Sequence, residues 1–447
     1  MCWYAPLRGL LLTWLDMYVL HCGRDRSMRG REREKRDGER GQILAMTAIS
    51  LVAVCTLVAV ATDLGYFFEY RRRVQTGADG AAMAGAEQLW RDLMNDTQVS
   101  PAAHEGAASN GFTDGVDGTH VTVHHPPSSG FYVGKSEFVE AIITQPRPTI
   151  FMPILGFQSA TVSARAVAGR QDSRNCVYAL NRTATRALNV NGGARVAAAC
   201  GVVDDSNSDN ALNGGGQGGN STISATSIAV TGGVVGCCFS PTPAGNAPPE
   251  ADPLAGRAAP TFSSTTCDHD NLKINSGTQV LTPGVYCNGA TISGVNTQVT
   301  FSPGVYVLNG GGLNVSGGTI NGTGVTFYNT ASAGRPYKPI TISGGAVGAL
   351  YAPTSGPMEA MLFFQDRAVG STQKNAVAGG GNLILQGTLY FPTTPLVFSG
   401  SSTPTGGAAA YTILVADTIE FTGNSSLSND FSSLSNRSPI KTVALAE

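Results

Sequence analysis

The residues that could do chemistry fall into a few short groups. Asp204-Asp205-Ser206-Asn207-Ser208 holds a D-x-S-x-S pattern, in which a carboxylate and two hydroxyls can share a cation. Asp268-His269-Asp270 offers two carboxylates and an imidazole, His120, His124 and His125 lie together, and Asp366-Arg367 are adjacent opposite charges. Each group also has a plainer reading. The D-x-S-x-S stretch follows Val202-Val203, which could end a strand, but it continues as DNALNGGGQGGN, which cannot form the helix that such a metal site requires. It is expected to be a polar turn. Asp268-His269-Asp270 is expected to be a solvated loop, Asp366-Arg367 a surface ion pair, and the histidines exposed strand-end residues.

Large tracts of the chain carry no catalytic group. Residues 274–334, sixty-one positions, contain no Asp, Glu, Lys or Arg, and neither do residues 210–249. General acid–base catalysis, glycoside cleavage and metal-assisted hydrolysis all need ionisable groups converging on a cleft. No G-x-S-x-G, phosphate-binding or dinucleotide fingerprint stands in a strand-to-helix context. The chain is therefore expected not to be an enzyme and to hold no cofactor or metal. A net charge of −2 also argues against a nucleic-acid partner, which would require a basic footprint.

The nine cysteines divide into Cys2, Cys22 and Cys55 in or before an apolar segment, and Cys176, Cys200, Cys237, Cys238, Cys267 and Cys287 after it. Six thiols in an exported domain favour disulfides, and their number alone leaves 15 connectivities open. Pairing of Cys176 with Cys200 and of Cys267 with Cys287 is preferred, because each pair brackets one short β-prone stretch. The absence of CxxC, with only His269 nearby, weighs against a metal site.

The element that decides where all this sits is ILAMTAISLVAVCTLVAVAT, residues 43–62, twenty positions without a charge. A helix of that length spans about 30 Å, the thickness of a bilayer's hydrocarbon core. Eight Lys/Arg lie within 24–40, against three (Arg71, Arg72 and Arg73) shortly after it, so the N-terminus is expected in the cytoplasm and everything after residue 63 outside. A cleaved signal peptide is the alternative, with Ala59-Val60-Ala61 as its site, but the apolar run is longer than a signal core. A buried core helix would seldom run so far uncharged beside a basic flank. Residues 1–27 include the apolar but short Leu7–Leu20 stretch. They read either as an upstream extension, with the true start at Met28, or as a short interfacial helix.

Past the span, Leu64, Phe67, Phe68, Val74, Ala78, Ala81, Ala82, Gly85 and Leu89 recur at helical spacing. The small-residue run Gly77–Ala86 allows close approach of another helix. It serves either as one face of an amphipathic stalk or as a packing face for pilin-like partners. Residues 40–89 hold Arg40-Gly41-Gln42, Asp63-Leu64-Gly65, Arg72-Arg73-Val74-Gln75, and Ala78-Asp79-Gly80-Ala81-Ala82-Met83-Ala84-Gly85-Ala86 in that order. On these features the stretch resembles the N-terminal module of the Tad (tight adherence) family, the TadE/TadG-like proteins. The resemblance implies an inner-membrane, pseudopilin-like anchor that works with other Flp pilus components. Processed pseudopilins carry Glu then Tyr five residues after the Gly. Here Met46 stands at that distance from Gly41, which argues against prepilin-peptidase processing. Some TadG-like proteins also carry a von Willebrand type A metal site, the setting in which D-x-S-x-S would bind a cation.

Residues 88–170 read as a small α+β unit with strands at Thr119–His124, Glu137–Thr144 and Ala160–Ala168, separated by turns at Pro126-Pro127 and at Pro146 and Pro148. From residue 171 the composition changes. Glycine runs (214–216, 310–312, 379–381) punctuate β-prone segments, and Pro283-Gly284-Val285-Tyr286 repeats twenty residues on as Pro303-Gly304-Val305-Tyr306. Charged residues are 13% of the chain, about half the usual share, and Gly reaches 56 residues. A period near twenty with Gly/Asn turns predicts a β-solenoid (parallel β-helix), with a β-sandwich as the alternative.

The expected organisation is a cytoplasmic extension (1–40), a Tad-like anchor and stalk (41–87), a pilin-like unit (88–170) and a Gly-rich exported solenoid (171–447). The expected function is a single-pass bacterial inner-membrane component of Flp pilus assembly or anchoring, its C-terminal domain periplasmic or extracellular. Its expected partners are the bilayer, through residues 43–62, and other pilus proteins. The alternative is an anchored adhesive solenoid that binds cell-surface glycans.

Overall fold

One unbroken helix, α1 (Glu32–Arg91), carries both the apolar run and the small-residue stretch after it. The structure is a computed structural model that describes residues 32–91, 96–215, 221–343, 345–378, 383–399, 409–435 and 437–447. The Leu7–Leu20 stretch, Met28, Cys2, Cys22, Gly216 and Gly379-Gly380-Gly381 lie outside the described residues. Among those residues α1 is the one helix long and apolar enough to cross a membrane, and none of its most apolar stretch is buried by the other described residues. The hydroxyls within that stretch donate back along the helix, Ser50 to the Met46 carbonyl at 2.7 Å, Thr56 to Val52 and Thr62 to Val58, both at 2.8 Å. No polar side chain there is left to be solvated.

After Asp63 the helix becomes one layer of a two-layer module. Tyr70, Val74, Ala78, Ala81, Ala82 and Ala86 turn inward against a second helix, α2 (Val99–Ser109), and an antiparallel sheet. Leu64 and Phe68 do not join that face and remain exposed. The sheet order is β1 (His120–His124), β2 (Phe138–Pro148), β3 (Ser159–Asp172), then the last strand of the chain, Lys441–Leu445. Two expectations change here. Pro146 and Pro148 lie inside β2 rather than in a turn, paired opposite Thr161 and Ser159. In addition, β3 crosses the expected boundary at 170, and the C-terminal strand returns from the solenoid to close the sheet.

The rest of the chain is a parallel β-solenoid, and its parallel ladders rule out the sandwich. The described strands form ten coils. In order along the stack they are 269–281, 284–301, 304–323, 325–351, 361–386, 387–399, 412–427, 175–198, 201–224 and 227–240. The stack therefore does not follow the sequence. The last coil made lies on the first, with Leu414 beside Val177, Ile419 beside Leu188 and Ser425 beside Val196. The chain enters and leaves between the seventh and eighth coils.

Segment 241–268 then runs back along the side of the stack. It touches the tenth coil through Ala244, the ninth through Glu250, the sixth through Asp252, the fourth through Phe262 and the third through Ser264.

Inward side chains repeat from coil to coil. Tyr286, Tyr306, Phe327, Phe363 and Phe391 form a ladder with ring centroids 5.3–6.3 Å apart, the aromatic–aromatic range. The P-G-V-Y repeat supplies two of these rungs, although Gly284 pairs with Tyr306 rather than Gly304. That slip of two residues keeps every inward side chain inward. At one corner only glycine fits, since Gly311 has φ +74° and a Cβ there would lie 2.1 Å from the backbone of Asn288.

Candidate functional site

The helix-on-sheet module is where the resemblance motifs meet their partners, and they are used within the chain. A Cβ on Gly106 of α2 would fall 2.7 Å from the Gly80 carbonyl of α1, and one on Gly77 would fall 2.4 Å from the Phe112 ring. The Gly77–Ala86 stripe is thus covered by the protein's own second helix and sheet. It does not present a bare packing face to a partner. Gln75 donates to the Arg165 carbonyl at 3.1 Å and to Asp79 at 2.7 Å, tying α1 to β3.

Asp63, the first residue after the apolar run, grips the tip of the β2–β3 hairpin. Its carboxylate accepts the backbone N–H groups of Ile150 (3.0 Å), Phe151 (3.0 Å) and Met152 (2.8 Å). Such a carboxylate satisfies three turn donors at once, the task a capping acid performs at a helix start.

On the sheet face away from α1 lies Glu140, fully buried in β2. It accepts from the Ser128 N–H (2.9 Å), the Ser128 and Ser129 hydroxyls (2.6 Å each) and Arg165 Nε. Burial alone would push this carboxyl up. The serine donors and the Arg165 guanidinium outweigh it and hold it at about 2. Arg165 also pairs with the side chain of the last residue, Glu447, which accepts the Phe131 N–H at 2.8 Å. One guanidinium thus fastens the chain end to the module. Asp63 stood in the motif Asp63-Leu64-Gly65 without its partners, and nothing in the sequence pattern joined Glu140 to Glu447; the signal for Glu140 was a lone acid inside the apolar phrase FVEAII.

In the solenoid the sequence candidates disperse. Asp204, Asp205 and Ser206 are not a solvated turn but are buried at the end of the strand Gly201–Asp204. Burial pushes the Asp204 carboxyl up to about 7. The Ser206 N–H at 3.0 Å pulls it down, and the Asp205 charge pushes it further up. Its Oδ2 accepts no hydrogen bond among the described residues. Asp205 accepts the Glu250 N–H at 2.8 Å and lies 4.0 Å from Arg182, which pins the return segment to the ninth coil.

Asp268-His269-Asp270 stands where a bend runs into a strand, with both carboxylates exposed. His269 begins a strand and stacks on Tyr286 at 4.6 Å, Asp268 accepts the Val285 N–H at 2.7 Å, and Asp270 accepts Asn288 Nδ2 at 2.7 Å. Asp366 and Arg367 do not pair with each other. Asp366 accepts the Thr330 hydroxyl, while Arg367 reaches Asp252 at 3.8 Å, the Tyr390 hydroxyl, and the Leu254 and Arg257 carbonyls.

His120 is exposed, and His124 and His125 are half-buried, with His125 Nε2 2.7 Å from the Ser136 carbonyl. Among the described residues no three His, Cys, Asp or Glu side chains are grouped to hold a metal ion. Disulfides join Cys176 to Cys200 and Cys267 to Cys287, each with 5.7 Å between Cα atoms, and Cys237 and Cys238 are neighbours on the surface.

A cleft of about 650 Å³ lies between the return segment and the coils and is lined mainly by Ala258, Pro260, Phe262, Val285, Val305 and Met358. It gathers no charged group.

Two family models match the N-terminal region. Residues 41–88 match Tad, the Flp pilus-assembly TadE/G-like family, and residues 80–168 match Tad_C, the Tad-like Flp pilus-assembly family. The two spans cover the apolar run, the rest of α1 to residue 88 and the module as far as residue 168 in β3, and they end before the solenoid begins. The domains support a role related to pilus assembly. Neither a curated protein nor a solved structure matches the chain.

Proposed function

We propose that the chain is a membrane-anchored, TadE/TadG-like component of Flp-type pilus assembly or anchoring at the bacterial envelope. In this reading residues 43–62 cross the inner membrane once, with the basic flank in the cytoplasm, and the module and solenoid stand on the far side. Its partners are the lipid bilayer and other Tad/Flp pilus proteins, and it has no catalytic role.

One observation carries the reading. Along α1, the most apolar stretch is unburied among the described residues, Asp63 is buried, and from Tyr70 onward the helix packs into the module, all inside the span matched by the family models. A helix bare over a bilayer's thickness and packed beyond it is built for two solvents. The glycan-binding alternative lacks such support. Among the described residues the exposed large hydrophobic side chains of the coils are Val234, Val235, Val280 and Val295, and most aromatic rings of the coils are turned into the core, with Phe239 and Tyr351 half-buried.

The test is a count of thin pili per cell by electron microscopy in a deletion strain and its complemented parent. Loss of pili, restored by the intact gene, is the expected result. Unchanged pili would overturn the assembly role and leave an anchored solenoid of another purpose.

A further inference from the structure

The tip of the β2–β3 hairpin has the wrong surface for water. Ile150, Phe151, Ile154 and Phe157 are exposed within eight residues, Ile154 at 86% and Phe157 at 60%. Residues 148–164 contain no charge. Hairpin tips in water ordinarily carry polar turn residues, and a contiguous apolar patch marks a surface that is covered in use.

Its position says what covers it. Asp63 holds the backbone of residues 150–152 directly, and Asp63 follows the last residue of the uncharged run. The tip is therefore fixed at the level on α1 where the apolar stretch ends. On the helix at the same level Leu64, Tyr66 and Phe68 are also exposed. A groove of about 380 Å³ between α1 and β3 continues this surface, lined by Leu64, Phe67, Phe68 and Val162 with Arg71 among them. Arg71, Arg72 and Arg73 follow two turns further on, about 12 Å along the helix from Asp63. Apolar and aromatic side chains in one layer, with guanidiniums in the next, match the acyl boundary and phosphate layer of a phospholipid leaflet.

We propose that the hairpin tip 149–158 is a second membrane contact, inserted into the interface of the leaflet beside the end of α1. Asp63 is its positioning residue. The inference rests on the membrane-anchor reading and adds to it. A single helix can rotate and tilt in a bilayer, whereas a helix with a hairpin fixed beside it has a defined face and depth.

The experiment places the photo-crosslinking residue p-benzoylphenylalanine, one site at a time, at Leu57, Ile154 and Phe131 of the full chain in cell membranes. Adducts are then identified by mass spectrometry. Leu57 lies within the apolar run, and Phe131 is equally exposed but sits on the Glu447 side of the module. The expected result is phospholipid adducts at 57 and 154 in comparable yield, with loss to background at 131. Lipid adducts at 57 without lipid adducts at 154 would overturn this inference and leave the anchor standing. So would a protein adduct at 154 in place of lipid. No lipid adduct at 57 would overturn the anchor itself.

Discussion

The module and the solenoid each bury a carboxylate, and they treat it in opposite ways. In the module Glu140 receives three donors from Ser128 and Ser129 and one from the Arg165 guanidinium, and its carboxyl is held at about 2. In the solenoid Asp204 receives the Ser206 N–H, keeps one oxygen unpaired, and is pushed up to about 7. The difference follows from architecture. Between antiparallel strands and their turns, side-chain hydroxyls and a charged partner can converge from several directions. In a parallel stack the backbone donors are already consumed by the neighbouring coils, so a buried acid finds few left. The module is built to hold charge, and the solenoid is built to do without it.

The sharpest way to break this contrast is Glu140→Gln. It leaves the half-buried Arg165 with Glu447 as its remaining carboxylate and replaces a buried charged acceptor by a neutral amide, which is expected to cost the module about 3 kcal/mol, read by urea denaturation with the unfolding region mapped by proteolysis. The reverse case is Asp204→Asn. Because burial raises this carboxyl in the folded state, solenoid stability is full below about pH 4 and declines as pH rises through 7. The amide should abolish that decline and add at most roughly 4 kcal/mol at higher pH. The module's dependence has the opposite sign. Glu140 is depressed, so stability is full above the ordinary Glu value near 4.5 and is lost as pH falls toward 2. Two regions that respond to pH in the same direction would contradict the comparison.

Removing Cys176–Cys200 by Cys176→Ala with Cys200→Ala should cost the solenoid about 3 kcal/mol for a loop of this length and leave the module unchanged. Smallest is Gly106→Ala, where one methyl meets the Gly80 carbonyl. It is expected to cost the module about 1–3 kcal/mol in the same denaturation assay.

Much of the plan was legible because it is local. The charge-free run, the small-residue stripe and the twenty-residue P-G-V-Y period each express a helix or a coil in its own residues, and the strands near 120, 138 and 160 follow from alternation. What the residues did not disclose depends on distant partners. Arg367 stands beside Asp366 in sequence, yet its charge is met by Asp252, which the return segment carries past it. Asp204-Asp205 reads as a polar turn until Glu250 and Arg182 cover it. The coil order is the extreme case. A repeat specifies how one coil fits any other, and it says nothing of which coil comes next.

That order has a consequence in time. The chain is made from its N-terminus, so coil 175–198 exists before coil 412–427, on which it rests. The first three coils must wait, one face unpaired, until some two hundred later residues have emerged; closing such a distant contact is slow. Chains arrested before residue 412 should be cleaved by protease across 175–240, and chains extended past 427 should resist. Synthesis of residues 412–427 thus gates the stack: until they emerge coil 175–198 has no neighbour on that side, and the strand that pairs with β3 follows only after them.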